Sequence, residues 1–507
     1  MTQLTALVIG AGIGGIATAG RLAQLGYAVT VLEKNDQPGG RTGQIIRDGH
    51  RFDTGPTLFL MPEVFAETYE ALGERMEEHL DLIRIDPTYR VHFTDGMELT
   101  LTGDILKMQE QLEKIEPGSF EGYLRYLHEG NRHYRLSLSH FVGRNFRSLF
   151  EYFSPVNLPL LFKLKALVKH YENIGNYFRD PHLKAAFTFQ NMYLGLSPYD
   201  APATYSLLQY TELADGVWFP RGGLYRVIES LVGIAKQRGA RFMYNAPVRR
   251  IETTNGHATG VVLEDGRRMT ADIVVANADL PYVYDELLQD RRESAKLADK
   301  KYTCSAITFY WGVDRTYSEL FTHNVFLSTD YRASFDRIFE DYGIPDEPSF
   351  YVHAPSRVDP DAAPRNQDTL MALIPTGHIQ EGKTQDWDAL KDHARKAVLG
   401  GLAKIGVTDL REHIKFEASY TPLEWRDTYN LAKGSAFGLS HNFTQVGYLR
   451  PKNKHRSIDN LYFVGASTHP GTGLPIVLLS ARLTTERIVE DRAPESASVG
   501  AATALAQ

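Results

Sequence analysis

The chain has 507 residues, of which 43% are hydrophobic and 23% charged, with a single cysteine and a formal net charge of −7. That length exceeds one ordinary core and predicts two or three subdomains, while the composition is that of a soluble or membrane-surface globular protein. The negative balance argues against nucleic acid as a partner, and the lone Cys304 excludes an intramolecular disulfide or a thiol pair for redox exchange or zinc.

The N-terminus reads as strand, glycine-rich turn, helix, strand. Leu7-Val8-Ile9 is a short apolar strand, Ile16 to Leu25 has helical spacing with Gly26 as its stop, and Ala28 to Leu32 is the next strand. A hairpin follows, residues 44–47 and 50–52, turned by Asp48-Gly49. Residues 60–210 are aromatic-rich and predicted mostly helical. Gly222-Gly223-Leu224 then opens a second α/β stretch: a helix from Tyr225 to Arg238, a strand near Phe242 to Tyr244, a strand pair around Val261 and Met269, and a strand to Ala276. Residues 300–450 read as mixed strands and helices, with Cys304 as a small core residue beside the strand-like run 306–310. A last strand, turn and helix run from Asp459 to about Arg487, and the tail 493–507 is expected to be disordered. No uncharged apolar stretch approaches the ~20 residues of a spanning helix. The first apolar run lacks the basic lead of an export signal. The expected location is cytoplasmic, with any membrane contact made from the surface.

Gly10-Ala11-Gly12-Ile13-Gly14-Gly15 follows a strand and opens a helix, where a G-x-G-x-x-G pattern binds a dinucleotide. Gly10 permits the tight turn, Gly12 admits a pyrophosphate to the backbone, and Gly15 lets helix and strand pack closely. The helix N-terminus offers free N–H groups and a positive dipole end to phosphate. Glu33 ends the second strand, where a carboxylate binds a ribose hydroxyl. The motif alone does not separate NAD from FAD.

Gly39-Gly40-Arg41 and the block from Asp459 to Ala466 resemble cofactor segments of the amine oxidase-like flavoproteins. The run Gly465-Ala466-Ser467-Thr468-His469-Pro470-Gly471-Thr472-Gly473-Leu474-Pro475 is more specific. With Phe52-Asp53-Thr54-Gly55-Pro56-Thr57 and Gly222-Gly223-Leu224, it closely resembles the bacterial and fungal phytoene desaturases. The likeness extends over nearly the whole chain. It implies an α/β fold: a Rossmann-like FAD-binding domain assembled from residues 1–100, 215–290 and 455–492, a mixed α+β substrate domain over 291–454, and a helical substrate and membrane-facing region over 101–214. It implies non-covalent FAD, held by Gly14, Lys34, Gly40, Arg41, Gly55, Pro56, Val248, Asn277, Gly465, Ala466, Gly473, Leu474, Pro475 and Ile476 besides the motif residues above. The implied activity is desaturation of 15-cis-phytoene toward lycopene or a partly desaturated intermediate. A quinone or oxygen would accept the electrons. C30 chains, end-group desaturation and isomerisation remain open within the same family, as does self-association. An amine or amino-acid oxidase and a non-catalytic prenyl escort are the readings outside it.

A desaturase needs no metal and no covalent nucleophile, since a flavin accepts the hydride and the protein supplies position, dryness and a proton sink. A substrate without polar groups must be held by a shaped apolar tunnel, for which Phe187, Phe189, Met192, Tyr193 and Leu194 are candidates, with ordinary helical core as the alternative. Some family members are assigned an Asp/Arg pair; the comparable stretch here, residues 146–151, lacks the aspartate, leaving Arg144, Arg147 and Glu151 as acid–base candidates. His469 reads either as a proton acceptor beside the flavin or as a structural histidine. Residues 158–169, dense in leucine and lysine, read as an interfacial helix or as a buried helix with a lysine edge.

Overall fold

The computed structural model describes residues 3–492. The tail expected to be disordered, 493–507, lies outside them.

Two sheets organise the molecule. The first is parallel and five-stranded, in the order Leu461–Phe463, Ile273–Ala276, Thr5–Ile9, Ala28–Leu32, Arg241–Met243. Its strands come from the beginning, middle and end of the chain. The strands are apolar on both faces because both are covered. Ala6 and Val8 face one side, under the helices Ile13–Gln24, Tyr225–Gln237 and Leu474–Arg492. Leu7 and Ile9 face the other, where the antiparallel strands Val248–Thr254, His257–Leu263 and Arg268–Thr270 pack.

The second sheet has seven strands in the order Ile414–Tyr420, Ser305–Val313, Asp368–Thr376, Phe350–His353, His323–Leu327, Tyr89–Phe93, Glu98–Leu101. The helix Trp387–Lys404 covers one face, laying Ala394, Val398 and Leu402 on Ile307, Phe309 and Leu370. The helical segments between residues 105 and 215 cover part of the other, with Tyr123, Ala186 and Phe187 in the same core as Val91, Val325 and Leu327.

Two expectations are corrected. Residues 82–101 are strands, not helix, and two of them leave the cofactor unit: Tyr89–Phe93 pairs in parallel with His323–Leu327 and antiparallel with Glu98–Leu101. The hairpin is turned at Asp95-Gly96, a strong local turn signal that the helical reading of 60–210 passed over. The segment 158–169 is not one helix. Helix Asn157–Lys163 stops, and Lys165 takes a left-handed backbone (φ 50°) that swings its ammonium inward onto Glu129 at 2.5 Å and Asn173 at 2.7 Å. A buried carboxylate needs a partner, and Glu129 is buried. Pairing it with Lys165 breaks the amphipathic pattern and leaves Leu158, Phe162, Leu167 and Val168 exposed at the surface.

Candidate functional site

Three chain segments meet where the glycine-rich loop turns into its helix. A Cβ on Gly15 would lie 2.1 Å from the Gly10 carbonyl oxygen, so only glycine allows strand and helix to approach this closely. The space left open by Gly12 and Gly14 is taken by Asn277, whose side-chain atoms would stand 2.9 and 2.7 Å from Cβ atoms at those positions. Asn277 Nδ2 donates to the Gly10 carbonyl at 3.2 Å. No side chain caps the helix Ile13–Gln24, which leaves its first N–H groups for a ligand phosphate. Gly39, at φ 111°, donates its N–H to the Ala11 carbonyl at 2.7 Å, and this docks the Gly-Gly-Arg turn on the loop. Glu33 is buried and accepts from the N–H groups of Ala11 (2.7 Å) and Asn35 (2.9 Å); burial raises its pKa despite those donors.

The loop after strand Leu461–Phe463 is held by Arg450, a residue that sequence reading missed. Its fully buried guanidinium donates to the carbonyls of Leu439, Ser440, Gln445, Ala466 and Thr468. The fork geometry of arginine suits one donor serving several acceptors. Burial lowers its pKa to about 10, so it stays charged. Asp279 was missed as well. It accepts from Ser467 Oγ at 2.5 Å and Ala432 N–H at 3.1 Å, and lies close enough to Arg41 for the two charges to favour one another. Arg41 itself donates to the Ala436 carbonyl at 2.7 Å. The one available signal for Asp279 was its place just beyond the C-terminal end of a parallel strand, where such sheets bind ligands; Arg450 had none.

A single cavity of about 800 Å³ opens from this cradle. Of the residues expected to bind cofactor, Gly10, Gly12, Gly14, Glu33, Lys34, Gly40, Arg41, Gly55, Pro56, Val248, Asn277, Gly465, Ala466, Gly473, Leu474, Pro475 and Ile476 line it. Gly15 does not, because it is spent on helix–strand packing. Phe189, Met192, Tyr193 and Leu194 line the continuation of the cavity. Phe187 is turned away and stacks on Phe178 at 4.8 Å in the core.

The acid–base candidates fall elsewhere. Arg147 is exposed and paired with Glu490 at 3.2 Å, and Glu151 accepts from the Arg147 N–H and faces Arg144 at 3.5 Å; neither lines the cavity. His469 does line it, but Nε2 donates to the Arg144 carbonyl at 2.8 Å and Nδ1 is sealed without a partner. Burial pushes its pKa down to about 4, which makes the ring a poor proton acceptor. His469 joins the flavin-side loop to the helical region, the structural alternative of the two. Cys304 is buried, with its thiol pushed up to about 12.

The chain matches the model of the flavin containing amine oxidoreductases over residues 13–489. It is 47% identical over 99% of its length to a zeta-carotene-forming phytoene desaturase of Myxococcus xanthus, covering 96% of that protein. A phytoene desaturase of Neurospora crassa is 45% identical over 98% of the chain and 86% of its own. The chain belongs to the carotenoid-desaturase branch of the flavin-containing amine oxidoreductases. The fold is shared more widely in this superfamily. An oxidoreductase of Methanosarcina mazei aligns with a TM-score of 0.64 at 17% identity, covering 95% of this chain and all of that one. Putrescine oxidase bound to putrescine aligns at 0.61 and 15%, covering 96% and 98%. A flavin is the family's cofactor, and the glycine cradle with its uncapped helix fits a flavin nucleotide.

Two outcomes follow from this geometry. Gly12→Val should fill the space beside Asn277 and weaken flavin retention at least about 100-fold, read as a folded protein by circular dichroism that purifies without visible absorbance. His469, held near 4 against an unfolded value near 6.5, favours the folded state above pH 6.5, and that stability is lost as pH falls through this window toward 4. At pH 5 its share is about 2 kcal/mol, so His469→Asn should flatten the fall of the thermal midpoint between pH 6.5 and 5.

Proposed function

We infer that the chain is an FAD-dependent carotenoid desaturase that takes 15-cis-phytoene toward lycopene or a partly desaturated intermediate. The observation that carries the reading is the continuity of one cavity from the glycine cradle to an apolar and aromatic wall. That wall includes Phe141, Leu161, Leu164, Phe189, Met192 and Leu208. A long hydrocarbon offers about 25 cal/mol per Å² of buried surface but no polar handle, so shape must orient it. A C40 substrate is favoured over C30 because the phytoene desaturases among the relatives are 41–47% identical, whereas the 4,4'-diapophytoene desaturase of Staphylococcus haemolyticus is 34% identical.

Bound non-covalently, FAD supplies a hydride acceptor. The chain's own residues do the rest. The first N–H groups of helix Ile13–Gln24 and the turn 39–41 would hold the cofactor's phosphates, Glu33 would meet its ribose, and the Arg450-bound loop closes the far end of the trough. The apolar wall excludes water and orients the hydrocarbon by shape. A quinone or oxygen would take the electrons onward, and the proton lost from the adjacent carbon would pass to solvent. Arg147 and Glu151, at the surface, carry no step in this scheme.

The hydrocarbon has to be drawn from lipid, and the segment 149–168 suits that task. Phe150 is 90% exposed and Phe162 70%, with Leu149, Val156, Leu158, Leu167 and Val168 around them. Contiguous exposed apolar side chains mark an interaction surface. Lys163 belongs to the same segment, is exposed and complements anionic headgroups. Leu161, Leu164 and Ala166, from the same stretch, line the cavity. One piece of chain therefore presents one side to lipid and the other to the substrate space.

Incubating the FAD-loaded protein with phytoene liposomes and a quinone should yield coloured, conjugated products, whose spectra give the number of steps. Unchanged phytoene with flavin bound would overturn the C40 assignment and turn attention to diapophytoene. Phe150→Glu with Phe162→Glu should reduce partition onto anionic vesicles about 10- to 100-fold in a sedimentation assay while flavin content is kept.

A further inference from the structure

Glu212 is a carboxyl beside the apolar cavity with no cationic partner among the described residues. It sits at 0% exposure in a wide helical turn, Thr211–Asp215, closed by the Gly216 N–H reaching back five residues to the Thr211 carbonyl at 3.1 Å. Such widened turns recur at functional sites. Tyr89 Oη donates to one carboxyl oxygen at 2.9 Å and Gln190 Nε2 to the other at 3.1 Å. A second phenol, Tyr193, stands beside it. The Tyr193 ring is part of the cavity wall, while its hydroxyl is sealed from solvent close to the Glu212 carboxyl. Thr211 and Leu208, just before it in the chain, line the cavity too.

The groups facing Glu212 are neutral. They are Tyr89 on the strand Tyr89–Phe93, and Gln190 and Tyr193 on the turn Phe189–Leu194. One ring further out are Tyr126 of the helix Ser119–Ser137 and the His323 ring, 5.8 Å from Tyr89 and held neutral by burial. Gln190 is tied onward to Gln209 at 2.6 Å, and Gln209 to Tyr126 at 3.1 Å, so the cluster is braced from behind. Burial raises the Glu212 carboxyl to about 8, only partly offset by the Tyr89 and Gln190 donors and the neighbouring Tyr193 hydroxyl. A buried acid without a cation is costly to keep, and packing alone would be met by an apolar residue.

We propose that Glu212 is a positioning residue for the desaturation: held beside the Tyr193 hydroxyl, its carboxylate makes that stretch of wall electron-rich toward the positive charge that hydride departure to a bound flavin leaves on the hydrocarbon chain. The proposal rests on the desaturase reading for the identity of that charge. It adds no bond-making step, since Glu212 exchanges no atom with the chain. An aromatic ring attracts a cation, and a fixed negative group at its hydroxyl end in a dry site adds to that potential.

The test uses the flavin-loaded protein, its Glu212→Gln variant and Glu212→Asp, each matched for flavin content and thermal midpoint. The probes are a long-chain sulfonium carrying its positive charge mid-chain and the neutral thioether of the same length. The sulfonium should bind the parent protein about 10-fold more tightly than Glu212→Gln at pH 9, the preference should fade as pH drops through about 8, and the thioether should bind both alike. In phytoene turnover, kcat should rise through the same pH range with KM unchanged. Glu212→Gln should lose about 10-fold in kcat and its pH dependence, and Glu212→Asp should restore part of both. Equal sulfonium binding by parent and Glu212→Gln overturns the proposal whatever the activity. A sulfonium preference without turnover of any carotenoid overturns the desaturase reading and leaves the electron-rich wall standing.

Discussion

Everything that this protein does with a cofactor depends on a steric condition only a few atoms wide. At the first turn of the helix Ile13–Gln24, the Gly10 carbonyl, the Gly15 backbone and the Asn277 side chain fill the same small volume, and a Cβ at Gly15 would fall 2.1 Å from the carbonyl oxygen. Because strand and helix can approach only there, the parallel sheet lies at the depth where the loops after Ile9, Ala276 and Phe463 converge. That convergence makes a trough from residues more than 450 positions apart in sequence. The Arg450 guanidinium then fixes the third of these loops by donating to five backbone carbonyls, Ala466 and Thr468 among them.

The cavity joins two chemistries. Its cradle end is polar and glycine-rich, with Glu33, Arg41 and Asp279 balancing charge in a buried setting; its far end is apolar, roofed by the turn Phe189–Leu194 and floored by the second sheet. Buried histidines near the cavity are neutral, since burial lowers His323 and His353 far below the usual imidazole range and His469 to about 4. These histidines therefore act as fixed dipoles and not as mobile protons.

The cofactor half of the molecule was legible because its constraints are local. A glycine at a close approach, an acid at a strand end and a repeated small-residue turn leave marks within a few residues, and the trough formed where those marks stood. The substrate half was less so. Tyr89–Phe93 carries a strand pattern and an Asp-Gly turn, yet its partner is residue 323 and beyond, which no local pattern records. Phe187 and Phe189 are indistinguishable by composition, and only tertiary packing decides that one stacks on Phe178 while the other faces the cavity. Lys165 reads as a surface lysine until the buried Glu129 is known to need it. Arg147 and Glu151 stand in a stretch that lacks the aspartate of the Asp/Arg pair, and their side chains follow the surface.

The order of strands in the first sheet also bears on how the chain comes to be folded. Thr5–Ile9 acquires one neighbour, Ala28–Leu32, almost at once, but the other, Ile273–Ala276, only after the middle of the chain has been made. The edge strand Leu461–Phe463 and the helix Leu474–Arg492 that covers one face arrive last. Until then a nascent chain displays an open strand edge and an uncovered apolar face, both invitations to association with other chains. A truncated or stalled product thus lacks more than a piece of its cofactor site. It lacks the lid of its own core, and protection of the hydrophobic interior is deferred until synthesis is nearly complete.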